Sequence, residues 1–422
     1  MDSLRSLIVN DMAPFKDDVN VGEGVDVFDY WVRSMVEAKP GDVILYNERR
    51  PPPARYVSLL AKKGIGTNQY LSIRVRGESG GSLIDLAMRD DQLIEKLRMM
   101  GRMRVSPYIH TKRVPVFAEM IGAEYAAPPD KVVDDMNNKL HFRNFATSLD
   151  LPITRGLPCK GKSTVLRLTR DFLSEGCRVI IKTKLSASYG NGIIRVRSFA
   201  DIDEKTAKGR KLHEILEALG DAEVLVEEDL VGAVPTSING FVDAKGTPHI
   251  IVVSRQELDT NYGYMATVIG GHLTGDDRKE HREIGKILFG GLAAVEYRGW
   301  AGFDLIKVRG GKLTPVECNA RKTAVTSIDQ VRRQRWKMGK GNRVTYGGAF
   351  HVPIGTTYEE AQDHVDAIPL KRNGLVLLHN VRCLPSGRGM AIVLADNVKR
   401  ASALVGALTG KICIPKGEMA IR

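Results

Sequence analysis

The stretch Asp304-Leu-Ile-Lys-Val-Arg-Gly-Gly-Lys-Leu-Thr-Pro-Val-Glu317-Cys-Asn319-Ala-Arg321 puts an acid on one β-rich run and Glu-x-Asn-x-Arg on the next. FDLIKV and KLTPVEC read as strands, and a Gly-Gly pair between such runs is a hairpin signal, so the turn is placed at Arg309-Gly310-Gly311-Lys312. Alternate side chains of a strand share a face, which points Glu317, Asn319 and Arg321 together and lets Asp304 join from the partner strand. The same alternation sends Cys318 to the opposite face, as a core residue. Two carboxylates and an amide oxygen are hard ligands suited to Mg²⁺, and an arginine beside them suits a phosphoryl group. An ordinary hairpin with a solvated polar face has the same local pattern. The neighbouring segments therefore decide between the two.

The chain has 422 residues, a length that suggests two or three domains. Its 43% hydrophobic and 27% charged content is that of a water-soluble globular protein, and no apolar run approaches the roughly 20 residues that span a bilayer. The N-terminus turns acidic too early for a secretory signal, so a cytoplasmic location is expected and no membrane partner. The five cysteines are scattered with no CxxC pair, so neither a zinc site nor a disulfide framework is suggested. A net charge of +12 invites a nucleic-acid reading. Against it, the basic residues are dispersed, the densest group being Arg332 to Lys340, and the aromatic content is only 6%. A basic surface that attracts small anions explains the charge equally well, so nucleic acid is a disfavoured partner. The arginines at 332, 333 and 335 read as a solvated helix face.

Outward from the hairpin, residues 1–130 have the strand, helix, strand order of an open α/β unit: GDVILY (41–46), ARYVSLLAKKGIG (54–66), QYLSIRV (69–75). No GxGxxG occurs there. From residue 131 a helix runs to the Leu-Pro stop, with Lys139 and Arg143 on adjacent turns. A helix at 163–176 leads into strand CRVIIKTKL (177–185), which carries Lys182 and Lys184. The small-residue loop Ser186-Ala-Ser188-Tyr-Gly190-Asn191-Gly192 follows. Glycines and serines let backbone N–H groups approach an anion, and a strand lysine brings point charge to phosphate; a glycine-rich hairpin turn is the plain alternative. It is not a GxxxxGK[ST] loop. Strand VLVEEDL (224–230) ends in acids able to face a purine edge and ribose hydroxyls. Strands near 236–242 and 249–256 and a helix near 279–298 lead back to the hairpin. Beyond it, 358–368 reads as a helix, 374–384 as a strand and 397–410 as an amphipathic helix.

The order of these parts, from Lys139 and Lys182 through loop 186–192 and the acidic strand end to Asp304 and Glu317-x-Asn319-x-Arg321, resembles the ATP-grasp superfamily over residues 131–345. The N-terminal unit, the Ile153-Thr154-Arg155-Gly156 hinge, the Ser254-Arg255-Gln256 strand and the appended 346–422 segment together look like the pheganomycin-type peptide ligases, which carry a pre-ATP-grasp domain. The resemblance implies an α/β (α+β) fold with a pre-ATP-grasp α/β domain at 1–130 and a lid subdomain with the phosphate loop at 131–225. A core subdomain with the Mg²⁺ site follows at 226–345, and a small C-terminal α/β subdomain at 346–422. It further implies that Lys139, Lys182, Lys184, Ser186, Ser188, Gly190, Asn191 and Gly192 contact ATP phosphates, with the loop closing as a lid. Glu227, Glu228 and Leu230 would hold adenine, with a carboxylate near the ribose. Asp304, Glu317 and Asn319 would bind two Mg²⁺, for which Mn²⁺ can substitute, and Arg321 would steady an acyl phosphate. Many such ligases place a ribose-binding Glu where Val234-Pro235-Thr236-Ser237 stands here, so ribose recognition departs from the pattern.

The activity implied is an ATP-dependent carboxylate–amine ligase that makes an amide or peptide bond through an acyl phosphate and releases ADP and phosphate. Its partners would be a small carboxylate and an amine, an amino acid or peptide, in specialised metabolism; a homodimer is compatible with the sequence. Arg255, Arg278 and Arg282 are candidate carboxylate clamps, with plain surface charge as the alternative. His272 sits in a Gly-Gly-His-Leu-Thr-Gly loop where a substrate could pass, and a structural role suits it as well. The competing readings are a primary-metabolism ligase or carboxylase of the same superfamily, or a nucleotide- or nucleic-acid-binding protein without catalysis.

Overall fold

The structure, a computed structural model, describes residues 4–13, 27–74, 82–183, 193–259, 263–271, 273–308, 310–338, 344–370 and 374–412. The N-terminal unit runs β1 (Arg5–Val9), α1 (Ser34–Glu37), β2 (Val43–Asn47), α2 (Ala54–Lys63), β3 (Gln69–Ile73), α3 (Leu83–Ala87), α4 (Asp91–Met99), β4 (Met103–Pro107) and α5 (Arg113–Met120). A 3-10 turn at Val27–Arg33 precedes α1. The four strands form one parallel sheet in the order β3-β2-β1-β4. β2 is buried almost throughout and β1 from Leu7 to Val9, as strands covered on both faces must be. Helix α2 ends where Gly64 takes the left-handed conformation, at φ +68°.

The helix expected from residue 131 is two. Helix α6 (Asp130–Asn137) stops at Asn138, whose backbone is extended and whose side chain accepts from Leu140 N at 3.0 Å, capping α7 (Lys139–Ser148). The preceding residue holds the break in place: Asn137 Oδ1 accepts from Ala320 N at 2.9 Å. Next come β5 (Gly156–Cys159), α8 (Lys162–Ser174), β6 (Val179–Thr183), β7 (Ile193–Val196), α9 (Ala207–Leu219) and β8 (Val224–Glu228). Their antiparallel sheet has the order β5-β8-β6-β7 and a core of its own around Val165, Val179, Ile181, Leu212 and Val226.

The remaining strands build one eight-stranded antiparallel sheet, in the order β13-β12-β9-β10-β11-β14-β16-β15. In chain order the elements are β9 (Val234–Val242), β10 (Pro248–Leu258), β11 (Tyr264–Ile269), α10 (Gly275–Ala294), β12 (Gly299–Lys307), β13 (Thr314–Asn319), α11 (Ala324–Lys337), β14 (Val344–His351), α12 (Tyr358–Asp366), β15 (Leu375–His379), β16 (Arg388–Ala395) and α13 (Val398–Ile412). The C-terminal segment thus extends the central sheet, and its apolar side chains share a core with the N-terminal unit. The hairpin β12–β13 faces two ways. Phe303, Leu305 and Cys318 enter a core with Phe142 and Phe289, where Phe289 meets Phe303 edge-on with centroids 5.1 Å apart. Asp304, Glu317 and Asn319 face a cavity.

Among the described residues no helix is long and apolar enough to cross a membrane. The arginines of α11 are not a uniformly solvated face. Arg332 and Arg333 both pair with buried Asp329, while Arg335 is buried and reaches Lys63 O at 3.4 Å.

Candidate functional site

A cavity of about 520 Å³ opens where the three sheets meet. Its floor is the hairpin. Asp304 and Glu317 are direct cross-strand partners, with a bulge immediately after Asp304. Asn319 Nδ2 donates to Asp304 Oδ2 at 3.1 Å, and the Arg321 guanidinium donates to Asn319 Oδ1. Gln256, from β10, donates to Asp304 Oδ1 at 2.7 Å. Behind the floor Gly302 lets the strands close up: a Cβ there would lie 2.5 Å from Asn239 Oδ1. Burial, and then the Glu317 charge, raise the Asp304 carboxyl to about 7.

Two lysines enter from different elements. Lys139, in the first turn of α7, is 4% exposed, with Nζ 3.5 Å from Glu317 Oε2. Burial lowers its pKa, while the Glu317 charge works in the opposite direction. Lys182, on β6, pairs with Glu227 of β8. Glu227 also takes hydrogen bonds from Thr154 Oγ1 and from Arg143 Nη1, the latter at 3.3 Å, and Arg143 Nη2 donates to Thr154 O and Gly156 O at 2.7 and 2.9 Å. A side chain at Gly156 could not be accommodated, since a Cβ would lie 2.5 Å from the Glu227 Cβ. The Glu227 carboxylate is therefore engaged by lysine, arginine and threonine on one face of the sheet. Of the acids at this strand end, half-buried Glu228 lines the cavity, and Asp229 pairs with Arg195 of β7 at 2.9 Å. Leu230 and Pro235 complete this wall, and Ser237 stands opposite Asp304 on β9.

The hairpin end is tied to the N-terminal unit. Arg321 bridges to Ile109, Lys322 N donates to Tyr108 O at 2.9 Å, and Lys322 Nζ lies 3.2 Å from Glu37 Oε2 in a buried pair.

Of the residues singled out in the sequence, Lys139, Lys182, Glu227, Glu228, Leu230, Asp304, Glu317, Asn319 and Arg321 all line this one cavity. Lys184, Ser186, Ser188, Gly190, Asn191, Gly192 and His272 lie outside the described residues. Three arginines are placed elsewhere. Arg255 alternates with Gln256 along β10 and turns to Glu257, 3.2 Å away, while Arg278 and Arg282 are exposed on α10. None of the three is among the described residues that line the cavity. Asp229, within the acidic strand end, also lines the cavity, as do Gln256, Arg195 and the N-terminal residues Tyr30, Arg33 and Tyr108, which the sequence did not single out. Strand alternation marks Gln256; nothing local marks Arg195 or the N-terminal three.

The donor set suits a hard divalent cation. Among the described residues no group of three or more His, Cys, Asp or Glu side chains forms a metal site. Two carboxylates with an amide, in a cavity open to substrate oxygens, are the few protein ligands that Mg²⁺ takes.

No family model matches the sequence, and no curated protein matches it. Solved structures do. Biotin carboxylase from Campylobacter jejuni, in complex with β-γ-ATP, superposes with a TM-score of 0.62 at 13% identity, covering 97% of this chain and 92% of that one. The biotin carboxylase domain of 2-oxoglutarate carboxylase from Hydrogenobacter thermophilus, with MgADP, ADP and bicarbonate, gives 0.60 at 14%, covering 98% and 91%. N5-carboxyaminoimidazole synthetase from Staphylococcus aureus, with ADP, gives 0.57 at 10%, covering 96% and 97%. At such identities the likeness establishes architecture, and the chain has the α/β fold of the ATP-grasp proteins over nearly its whole length.

Proposed function

We propose that the protein is an ATP-dependent carboxylate–amine ligase. The observation that carries this reading is the convergence of Asp304, Glu317 and Asn319 with Lys139 and Lys182 on one cavity, whose other wall is the strand end Glu227 to Leu230. In this reading ATP lies between the β5–β8 sheet and the hairpin of the eight-stranded sheet, adenine against the backbone of 228–230 and phosphates toward the lysines. Asp304, Glu317 and Asn319 would hold Mg²⁺, with Mn²⁺ able to replace it. Bound there, the metal supplies positive charge against the phosphate oxygens. Lys139 and Lys182 add fixed charge, and burial makes that charge worth more than it would be in water. Arg321, oriented through Asn319, steadies the transferred phosphoryl group.

The chemistry is then an attack by a substrate carboxylate oxygen on the γ-phosphorus, which breaks the bond to ADP and forms an acyl phosphate. An amine attacks the acyl carbon, loses a proton, and expels phosphate to leave an amide. No protein nucleophile takes part. A peptide ligase acting on a specialised amino acid or small peptide is the finer reading, supported by the resemblance to pheganomycin-type ligases.

A carboxylase is the second reading, favoured by the names of the superposing structures. One experiment separates them. The protein, ATP and Mg²⁺ are incubated with pools of acids and amines, with and without bicarbonate. A ligase releases ADP and phosphate only when acid and amine are both present. Turnover that requires bicarbonate supports the carboxylase, and AMP with pyrophosphate overturns the acyl-phosphate route.

A further inference from the structure

The face of the sheet that carries Asp304 and Glu317 holds two rows of side chains. Strands β9, β12 and β13 lie side by side, and their pairing aligns Ser237, Asp304 and Glu317 in one row and Asn239, Gly302 and Asn319 in the next. Residues two apart on a strand share a face, so both rows look the same way. Gly302 leaves the middle of the second row without a side chain. Asn239 and Thr323 fill that space: a Cβ on Gly302 would lie 2.5 Å from Asn239 Oδ1 and 2.8 Å from Thr323 Cγ2. Asn239 and Ser237 are both buried, whereas Thr323 also lines the cavity.

The hydrogen bonds through this space run in one direction. Thr323 caps α11, and its hydroxyl oxygen accepts from Val325 N at 3.2 Å. The same hydroxyl donates to Asn239 Oδ1 at 2.8 Å, and Asn239 Nδ2 donates to Ser237 Oγ at 2.8 Å. The Ser237 hydroxyl then donates to the Asp304 carboxylate. The chain begins at a backbone N–H, which can only donate, and ends at a group that, once ionised, can only accept, so its direction is fixed. Asn239 is the link that no hydroxyl replaces, since its amide accepts on one side and donates on the other.

An anchor for α11 would need only the bond from Thr323 to Asn239. Its continuation through Ser237 ties the start of that helix to the metal floor. Asp304 also receives Gln256 on Oδ1 and Asn319 on Oδ2. An ionised carboxylate has about four lone-pair sites, so Ser237, Gln256 and Asn319 orient it and leave room for one bond to a cation.

We infer, resting on the reading of Asp304 as a Mg²⁺ ligand, that Asn239 and Thr323 are positioning residues for the metal. They fix the Ser237 hydroxyl as a donor to Asp304, and with it the orientation that carboxylate presents to the cation. Loss of an outer partner of this kind costs about 10- to 100-fold in metal affinity.

ADP affinity of the full chain is measured by calorimetry with and without Mg²⁺, and the ratio is the readout. Thr323→Val keeps the shape and removes the hydroxyl; Thr323→Ser keeps the hydroxyl. Asn239→Asp still accepts from Thr323 but sets an oxygen where Nδ2 donated, which turns the Ser237 proton away from Asp304. The gain from Mg²⁺ should fall about tenfold in Thr323→Val and in Asn239→Asp, and Thr323→Ser should retain it. Ser237→Ala should show the same fall, and adding Thr323→Val to it should lower the gain no further, because the chain acts through Ser237.

A wild-type gain in Thr323→Val, with the fold checked by circular dichroism, overturns the inference. So does a loss of ADP affinity that is equal with and without Mg²⁺, which marks a structural role alone, or losses in Ser237→Ala and Thr323→Val that simply add. A wild-type protein that binds ADP with no gain from Mg²⁺ removes the metal floor and the inference with it, and one that binds no ADP sinks the ligase reading itself.

Discussion

Lys182 and Glu227 face each other on adjacent strands as an ion pair, their side chains 9% and 4% exposed. Glu227 is directly opposite Ile180, so Lys182, two residues on, reaches it diagonally on the same face. Breaking a buried pair from one side leaves a charge without compensation, at a cost of about 3–5 kcal/mol. Glu227→Gln is accordingly expected to lower stability by about 3 kcal/mol in urea unfolding and to weaken ATP binding as Lys182 loses its anchor. A double variant, Lys182→Met with Glu227→Leu, should be less destabilised than the single one while binding ATP no better. Equal destabilisation of both would mean that the pair does not organise this wall.

Asp304 gives the site a pH dependence whose direction is set by its raised value, about 7. An unfolded aspartate titrates near 3.9, so between that pH and about 7 the folded, metal-free protein holds a proton that the unfolded chain has lost. This contribution to stability is present below the unfolded value and fades as pH rises through the folded one. Mg²⁺ needs the ionised carboxylate, so the rise in Tm caused by the metal should be larger at pH 8 than at pH 6. Asp304→Asn should flatten that difference. A metal-induced shift that is the same at both pH values would remove Asp304 from the ligand set.

Local pattern was enough for the hairpin. Alternation and a Gly-Gly turn put Asp304 across from Glu317, and both lie on the cavity side of β12 and β13. What stayed hidden was set by long-range pairing. Strand β14 is joined to β11 on one side and to β16 on the other by ladders that no short window of sequence contains. Arg33 meets Met390 only because the C-terminal strands fold back onto the N-terminal unit. Gln256 and Arg255 are neighbours in sequence and point to opposite faces of β10. A charged side chain drew the reading to Arg255, where the pleat favours Gln256.

The break at Asn138 was also unread, because the hydrophobic period runs through it. Its consequence is the burial of Lys139 in the first turn of α7. Asn138→Ala removes the cap, which costs about 1 kcal/mol, and favours one continuous helix that turns Lys139 away from Glu317. Thermal unfolding should show the small loss, and the KM for ATP should rise several-fold. Restoration of both by Asn138→Asp, which keeps the capping oxygen, would separate a capping effect from loss of amide chemistry.

Glu317 combines two tasks, since it faces Asp304 in the metal floor and lies 3.5 Å from the Lys139 ammonium. Glu317→Gln keeps the size and one oxygen of the side chain but removes the charge. The variant should lose some stability, because the buried Lys139 ammonium is left without its carboxylate partner, with relief of the repulsion between Glu317 and Asp304 offsetting part of the loss. ATP-dependent release of ADP should nevertheless fall by at least about a hundredfold, the scale for losing one electrostatic stabiliser of a transition state. The Asp304 carboxyl should also titrate lower than in the wild type, because the Glu317 charge is one cause of its rise. Carbon-13 NMR of the labelled aspartates can follow this without any substrate. Normal turnover in Glu317→Gln would refute the metal floor, whereas lost turnover with an unmoved Asp304 would place the effect at Lys139.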